Sequence, residues 1–226
     1  SEIGDLVKDY DDTLLIVDGV CSTAAEPEYL NKMNIDVLLS ASQKAFGVAP
    51  GLALVWASKA ALARRKELGD ITEYYVDFMK WLPIMHDPSK YFGTPPVNLI
   101  WALKESIKAI KEEGLEERYE RHRRDSQAIQ SALEALGFKI LANKDCRAAT
   151  LSNVIYPEGI NDEEFRSTLA EEGVVVAGGL GDYAGKLFRL GHMGNIDDHI
   201  ITSTLTAIER TLLKYKDSIE PGTATK

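Results

Sequence analysis

Asp18 and Lys44 lie 26 residues apart, and each stands where an apolar run has just turned polar. Leu14-Leu15-Ile16-Val17 leads into Asp18-Gly19, and the second run ends in Ser40-Ala41-Ser42-Gln43-Lys44-Ala45-Phe46-Gly47. Such a run reads as a buried strand delivering its last side chains to a sheet edge. In an open α/β sheet, ligands sit beyond the carboxyl ends of the strands, so both side chains should reach one crevice. A carboxylate opposite a pyridine nitrogen, with a lysine able to form a Schiff base, is what pyridoxal phosphate requires. The carboxylate keeps the ring nitrogen protonated, and the ring then draws electrons from the α-carbon of an amino acid. A partly desolvated lysine amine can carry the released proton as a base. The plainer alternatives are a surface charge for Lys44 and a turn cap beside Gly19 for Asp18.

Arg189 is the third candidate. It sits inside a small apolar strand, Leu187-Phe188-Arg189-Leu190, where a charge needs a partner or a ligand. A guanidinium holds a carboxylate in a planar, two-pronged way, which suits the α-carboxylate common to amino acids. An internal salt bridge is the competing reading.

Other patterns carry less. Gly179-x-Gly181-x-x-Ala184 matches a dinucleotide fingerprint, but a further strand follows it instead of a helix whose N-terminus could hold pyrophosphate. Cys21 beside Ser22 reads as small-residue packing. Cys21 and Cys146 are far apart and lack metal-ligand spacing, and His86, His122, His192 and His199 are too scattered for a metal site, so none is expected. His192 follows the Arg189 strand and is left without a role.

The elements that must position these residues follow from periodicity. Strands are expected at 13–18, 36–41 and 51–57, with Ser58 capping a helix over 60–68 that ends at Gly69. Residues 24–34 should loop and turn. Residues 70–96, with Pro83, Pro88, Pro95 and Pro96, read as one long loop. Leu99, Leu103, Ile107 and Ile110 predict a helix from Pro96 to near Gly114, and a second runs from Leu115 to Leu136. Its charge run Glu116, Glu117, Arg118, Glu120, Arg121 reads as a solvated face. Strands at 138–141, 151–155, 174–177 and 187–190 and helices at 162–172 and 197–215 complete the pattern. The tail from Glu220 reads as disordered. A parallel βαβ pattern before residue 114 and a β–α–ββ–α pattern after it divide the chain into domains at 1–113 and 114–226.

With 226 residues, 45% hydrophobic and 27% charged, the chain has the composition of an ordinary soluble globular protein. A net charge of −9 argues against nucleic-acid binding. No apolar run is long enough to span a membrane and no basic-then-apolar leader is present, so a cytoplasmic location is the expectation.

Asp18-Gly19-Val20-Cys21-Ser22, then Ser40-Ala41-Ser42-Gln43-Lys44 with Pro50-Gly51, Tyr91-Phe92-Gly93-Thr94-Pro95 and Gly185-Lys186-Leu187-Phe188-Arg189-Leu190-Gly191 occur in order. Together they resemble the class V aminotransferases, most of all the alanine–glyoxylate and serine–pyruvate type. The resemblance covers almost the whole chain, to about Tyr215. It implies a fold-type-I pyridoxal phosphate transferase, with the latter part of a large, mostly parallel-sheet α/β domain followed by a small α+β domain. It also implies Lys44 as the Schiff-base lysine and Asp18 at the pyridine nitrogen. Val20 would lie against the ring, and Gln43, Tyr91 and Thr94 would donate to the phosphate. Tyr91 and Thr94 would reach the cofactor of a neighbouring subunit, which makes a homodimer part of the expectation. Such enzymes carry a further N-terminal part with a phosphate-binding turn and a ring-stacking aromatic. The expectation is therefore a C-terminal portion, completed by that part of the same enzyme, a separate chain being one form this could take. The implied reaction is transamination between serine, alanine or glycine and a 2-oxo acid such as pyruvate or glyoxylate. Alternatives are a cysteine desulfurase or lyase, whose lysine usually follows a histidine where this chain has Gln43, and a non-catalytic assembly module.

Overall fold

The computed structural model describes residues 2–216 and 219–225. The chain divides into two compact units, Ser1–Thr23 with Pro27–Glu112, and Ala24–Glu26 with Glu113–Lys226.

In the first unit, helix α1 (Glu2–Val7) leads to strand β1 (Ile16–Asp18), which runs parallel to β2 (Val37–Ala41) with Asp18 opposite Leu39. Strand β3 (Ala53–Ala57) pairs with β2 in the antiparallel sense. The parallel βαβ reading of this part of the chain holds for β1 and β2 and not for β3. Residues 42–52 between β2 and β3 contain no helix, and a parallel return needs a crossover of about a dozen residues or more, usually helical. Leu38, Ala45 and Phe46 are buried around this turn. Helix α2 (Lys59–Glu67) starts at Ser58, whose Oγ accepts the Ala61 N–H at 3.0 Å. It stops at Gly69, where φ is +65° and a Cβ would be strained.

Residues 70–96 are not the single loop expected. Helix α3 (Phe78–His86) lies between short 3-10 turns at Tyr74–Val76 and Pro88–Lys90. Pro83 within α3 hides the helix from a reading that treats proline as a breaker. Asp77 makes the helix possible: its Oδ1 accepts the Met79 N–H at 2.9 Å, and its two oxygens take the fork of Arg65 at 2.8 and 2.9 Å. Burial raises the Asp77 pKa, but the hydrogen bonds from Arg65 and Met79 outweigh it and leave the carboxyl below its ordinary value. Phe92 meets Tyr74, Trp81 and Tyr75 edge-on at 4.9–6.1 Å, holding the segment's end to its beginning. Helix α4 (Val97–Glu113) follows at the predicted register, yet Ile100, Trp101 and Ile107 on it are exposed.

In the second unit, α5 (Leu115–Ala135) ends at Gly137, with φ +89°. Strands β4 (Lys139–Ile140), β5 (Leu151–Ile155), β6 (Ala177–Gly178) and β7 (Leu187–Gly191) form an antiparallel sheet of order β4-β5-β7-β6. Helix α6 (Asp162–Glu171) lies between β5 and β6, and α7 (Asp198–Leu213) follows β7. Val154, Phe188 and Leu190 of the sheet meet Leu133 of α5, Phe165 and Leu169 of α6, and Leu205, Ile208 and Leu212 of α7 in one core. Each such side chain contributes roughly 1.5–3 kcal/mol by leaving water.

Two further expectations are corrected in this unit. The tail forms a 3-10 turn, Thr223–Thr225, whose first N–H donates to Glu209 Oε1 at 2.8 Å while Ala224 is buried. The charge run of α5 is a solvated face only in part: Glu116, Glu117 and Glu120 are exposed, but Arg118 is 1% exposed. Arg118, His122, Asp125, Ile129 and Leu133 recur at i+4, i+7, i+11 and i+15 and form one buried stripe, polar toward the N-terminus of α5 and apolar toward its end.

Candidate functional site

The turn after β1 is built around Gly19. Its N–H donates to Leu39 O at 2.9 Å and its carbonyl accepts the N–H groups of Ser22 and Thr23 at 3.1 and 2.8 Å. A Cβ at this position would lie 2.3 Å from Thr23 Oγ1 and 2.7 Å from Leu38 Cδ1, so a side chain cannot be accommodated without disturbing the turn. Asp18 is thereby presented at the strand end, exposed. Its Oδ1 accepts the Val20 N–H at 2.9 Å, which is the turn-capping role, and no other hydrogen bond to its carboxylate occurs among the described residues. Capping uses one oxygen and leaves the other for a ligand.

Lys44 is carried on a loop closed from inside by Ser42. The Ser42 Oγ, fully buried, donates to Ala49 O at 2.8 Å and accepts the Leu52 N–H at 3.2 Å. Gly47, at φ +66°, returns its N–H to Lys44 O at 2.8 Å. With Ala45 and Phe46 buried behind it, the half-buried Lys44 side chain turns back to the Asp18 turn, where Nζ approaches Cys21 Sγ at 3.8 Å. The candidate amine therefore lies against the turn that starts with the candidate carboxylate. Sequence reasoning assigned Cys21 to packing alone and missed this contact, since only the fold shows that Lys44 reaches it.

Val20 is half-buried, and Gln43, Tyr91 and Thr94 are exposed. The side chains of Gln43, Tyr91 and Thr94 make no hydrogen bond among the described residues. Phe92 takes the packing role that Tyr91 could have had, and Tyr91 is 59% exposed. Neither Tyr91 nor Thr94 is in hydrogen-bond contact with Lys44 or Asp18.

Arg189, in the second unit, faces away from the core side that Phe188 and Leu190 occupy on β7. Its Nε donates to Gly178 O at 2.9 Å, which fixes the plane of the guanidinium. No carboxylate pairs with it among the described residues, so the salt-bridge alternative is not realised and the Nη donors remain for an anion.

His192 is structural. It is 3% exposed, and its Nε2 lies 2.9 Å from Ser152 Oγ. Burial, only partly opposed by backbone hydrogen bonding and the nearby Asp125, pushes its pKa down to about 4. The unfolded chain binds that proton near pH 6.5, so the native state loses stability as pH falls from about 6.5 toward 4. The full loss from this one group is roughly 3 kcal/mol. Urea midpoints measured between pH 7.5 and 4.5 should show this slope, and His192→Gln should flatten it. His122, also depressed by burial, adds a slope of the same sign that this substitution leaves in place.

The donor set fits pyridoxal phosphate: a carboxylate with a free oxygen, an amine that reaches Cys21 of the turn after it, and uncommitted neutral donors at Gln43, Tyr91 and Thr94. Among the described residues, no cluster of three or more His, Cys, Asp or Glu side chains could hold a metal ion.

Residues 1–185 match the family model described as aminotransferase class-V. The chain is 38% identical over 212 residues to an uncharacterized aminotransferase of Methanocaldococcus jannaschii, covering 93% of this chain and 55% of that protein. It is 32% identical to a serine–glyoxylate aminotransferase of Arabidopsis thaliana, covering 88% of this chain and 50% of the relative. The solved ureidoglycine–glyoxylate aminotransferase of Bacillus subtilis superposes with a TM-score of 0.92 at 28% identity, over 99% of this chain and 58% of that one. The chain belongs to the class V aminotransferase family, and its fold is that of the fold-type-I pyridoxal phosphate enzymes. It spans about half the length of the relatives it matches.

Proposed function

We propose that the chain is the catalytic portion of a pyridoxal phosphate-dependent aminotransferase that moves an amino group from serine, alanine or glycine to pyruvate or glyoxylate. The observation that carries this reading is the Lys44 amine turned onto the Asp18 turn, at 3.8 Å from Cys21. The names of the similar proteins, serine–glyoxylate and ureidoglycine–glyoxylate aminotransferases, support a small amino donor with glyoxylate as acceptor. When bound, the cofactor supplies an electron sink for the α-carbon. The chain's own residues do the rest. Asp18 holds a proton at the ring nitrogen through its free oxygen. Lys44 would hold the cofactor and, once its amine is free, would carry the substrate α-proton as a base. Gln43, Tyr91 and Thr94 donate to the phosphate, Val20 packs on the ring, and Arg189 holds the substrate α-carboxylate.

The reading includes a homodimer, in which Tyr91 and Thr94 serve the neighbouring subunit's cofactor, and the N-terminal part that relatives carry. Ile16 at 61%, Trp101 at 60% and Val55 at 47% exposure in the first unit are apolar surface for such partners to cover. A cytoplasmic location is part of the same reading. Among the described residues no helix is long and apolar enough to cross a membrane.

The test is an absorption spectrum of the protein with pyridoxal phosphate, together with any co-purifying N-terminal part, before and after L-serine or L-alanine. A visible band that bleaches with the amino acid and returns with glyoxylate is the expected result. A colourless protein under these conditions would sink the catalytic reading and leave an assembly module in its place.

A further inference from the structure

We propose that Cys21 is a positioning residue for Lys44, its thiol holding the lysine amine at the turn that begins with Asp18. The inference rests on the role proposed for Lys44. Both residues belong to the first unit, and the contact between them is direct: Lys44 Nζ donates to Cys21 Sγ at 3.8 Å. Nζ has no second hydrogen-bond or ion-pair partner among the described residues.

Each half of the contact is fixed by its own backbone. Gly19 donates its N–H to Leu39 O, and its carbonyl takes the N–H groups of Ser22 and Thr23, so Cys21 lies inside a closed turn. Ser22 Oγ donates to Glu28, which ties the far side of that turn down. Opposite it, the Lys44 N–H donates to Ala41 O at 3.3 Å, and the Lys44 carbonyl accepts the Gly47 N–H at 2.8 Å. The side-chain contact joins these two turns across 23 residues. Packing alone does not call for sulfur here. Cys21 is only half-buried, and alanine would fill the turn nearly as well. What sulfur adds is a weak polar partner for the amine. A thiol accepts weakly from an ammonium and donates weakly to a neutral amine, so the same group meets Lys44 before and after a proton moves. A carboxylate in this place would form a strong charge-assisted pair and keep the proton on the lysine.

The experiment compares wild type, Cys21→Ala and Cys21→Ser in the full, cofactor-loaded protein. Rapid mixing with L-serine reads the rate at which the visible band bleaches, and titrations read the KM for L-serine and half-saturation by pyridoxal phosphate. Cys21→Ala should slow the bleaching by about fivefold, the effect of one ordinary hydrogen bond, and leave the KM and half-saturation unchanged. Cys21→Ser, no larger than alanine to any useful extent but polar, should recover most of the rate. Equal rates in the two variants, whether slowed or not, would reduce Cys21 to packing and overturn the proposal. A second arm reads the contact itself without cofactor. o-Phthalaldehyde joins a primary amine and a neighbouring thiol into one fluorescent isoindole, with loss of two waters. Wild type should give a signal that Cys21→Ala and Lys44→Ala both lose, above any background from the exposed Cys146. A signal unchanged in both variants would show that the amine and thiol do not meet, and would overturn the proposal. A wild type that binds no pyridoxal phosphate yet gives the isoindole would overturn the functional reading, and Cys21's role with it, while leaving the contact established.

Discussion

Lys44→Ala is expected to abolish borohydride-fixable attachment of pyridoxal phosphate and to lower transamination by about 10³-fold or more. Two roles vanish together, the covalent hold on the cofactor and the base at the α-carbon, and a positioned base alone is worth about 10²–10⁴-fold. Folding should hardly notice. The loop around Lys44 is closed by the Ser42 hydroxyl, the Gly47 turn and the buried Ala45 and Phe46, and none of these needs the lysine side chain. The unfolding midpoint should therefore stay within the ~0.5 kcal/mol typical of substitutions away from core contacts. Lys44→Arg is the sharper variant. It keeps the charge beside Cys21, but a guanidinium neither forms the Schiff base nor gives up its proton. Peptide mapping after reduction should find the label on Lys44 in wild type and nowhere in either variant. A label that persists elsewhere in Lys44→Ala would move the catalytic role to another lysine.

The candidate pair, Asp18 and Lys44, was read from two local rules that agree: an apolar run ending in one polar residue, and the placing of ligands at strand ends. Neither rule shows that Lys44 turns back onto Cys21, since a contact across 23 residues depends on the turns at Gly19 and Gly47 together. The helix at Phe78–His86 was hidden by Pro83, and its nucleating contact, Asp77 on Arg65, spans 12 residues of unremarkable sequence. Arg118 was misread for a different reason. Charged residues on a helix are usually solvated, and only continuing the Ile129–Leu133 stripe backward, through His122 to Arg118, shows that this arginine faces inward. The antiparallel return of β3 was likewise available in principle, from the absence of a helix in residues 42–52. What periodicity alone could not supply is the polar partner that makes a buried charge tolerable, here Glu113 on the preceding helix.

Arg189→Leu should separate substrate recognition from cofactor chemistry. The guanidinium is anchored through Nε on Gly178 O, with its outer nitrogens unpaired among the described residues. Two charge-assisted hydrogen bonds to an α-carboxylate are worth about 1.5–3 kcal/mol each. After discounting for the water that replaces the lost fork, kcat/KM for L-serine should fall by roughly 10²–10³-fold. Cofactor uptake and the visible spectrum should not change, because Arg189 takes no part in holding the ring or the phosphate. Arg189→Lys keeps the charge but not the planar fork, and should recover only part of the loss. The decisive comparison uses 2-aminoethanol, which is serine without its carboxylate. Wild type should prefer L-serine over it by about the factor that Arg189→Leu removes, and the variant should treat the two amines nearly alike. If Arg189→Leu slows both amines equally, the residue supports the shape of β7 and the carboxylate is bound elsewhere. If the preference for L-serine disappears while turnover of 2-aminoethanol is unchanged, the α-carboxylate is held at Arg189.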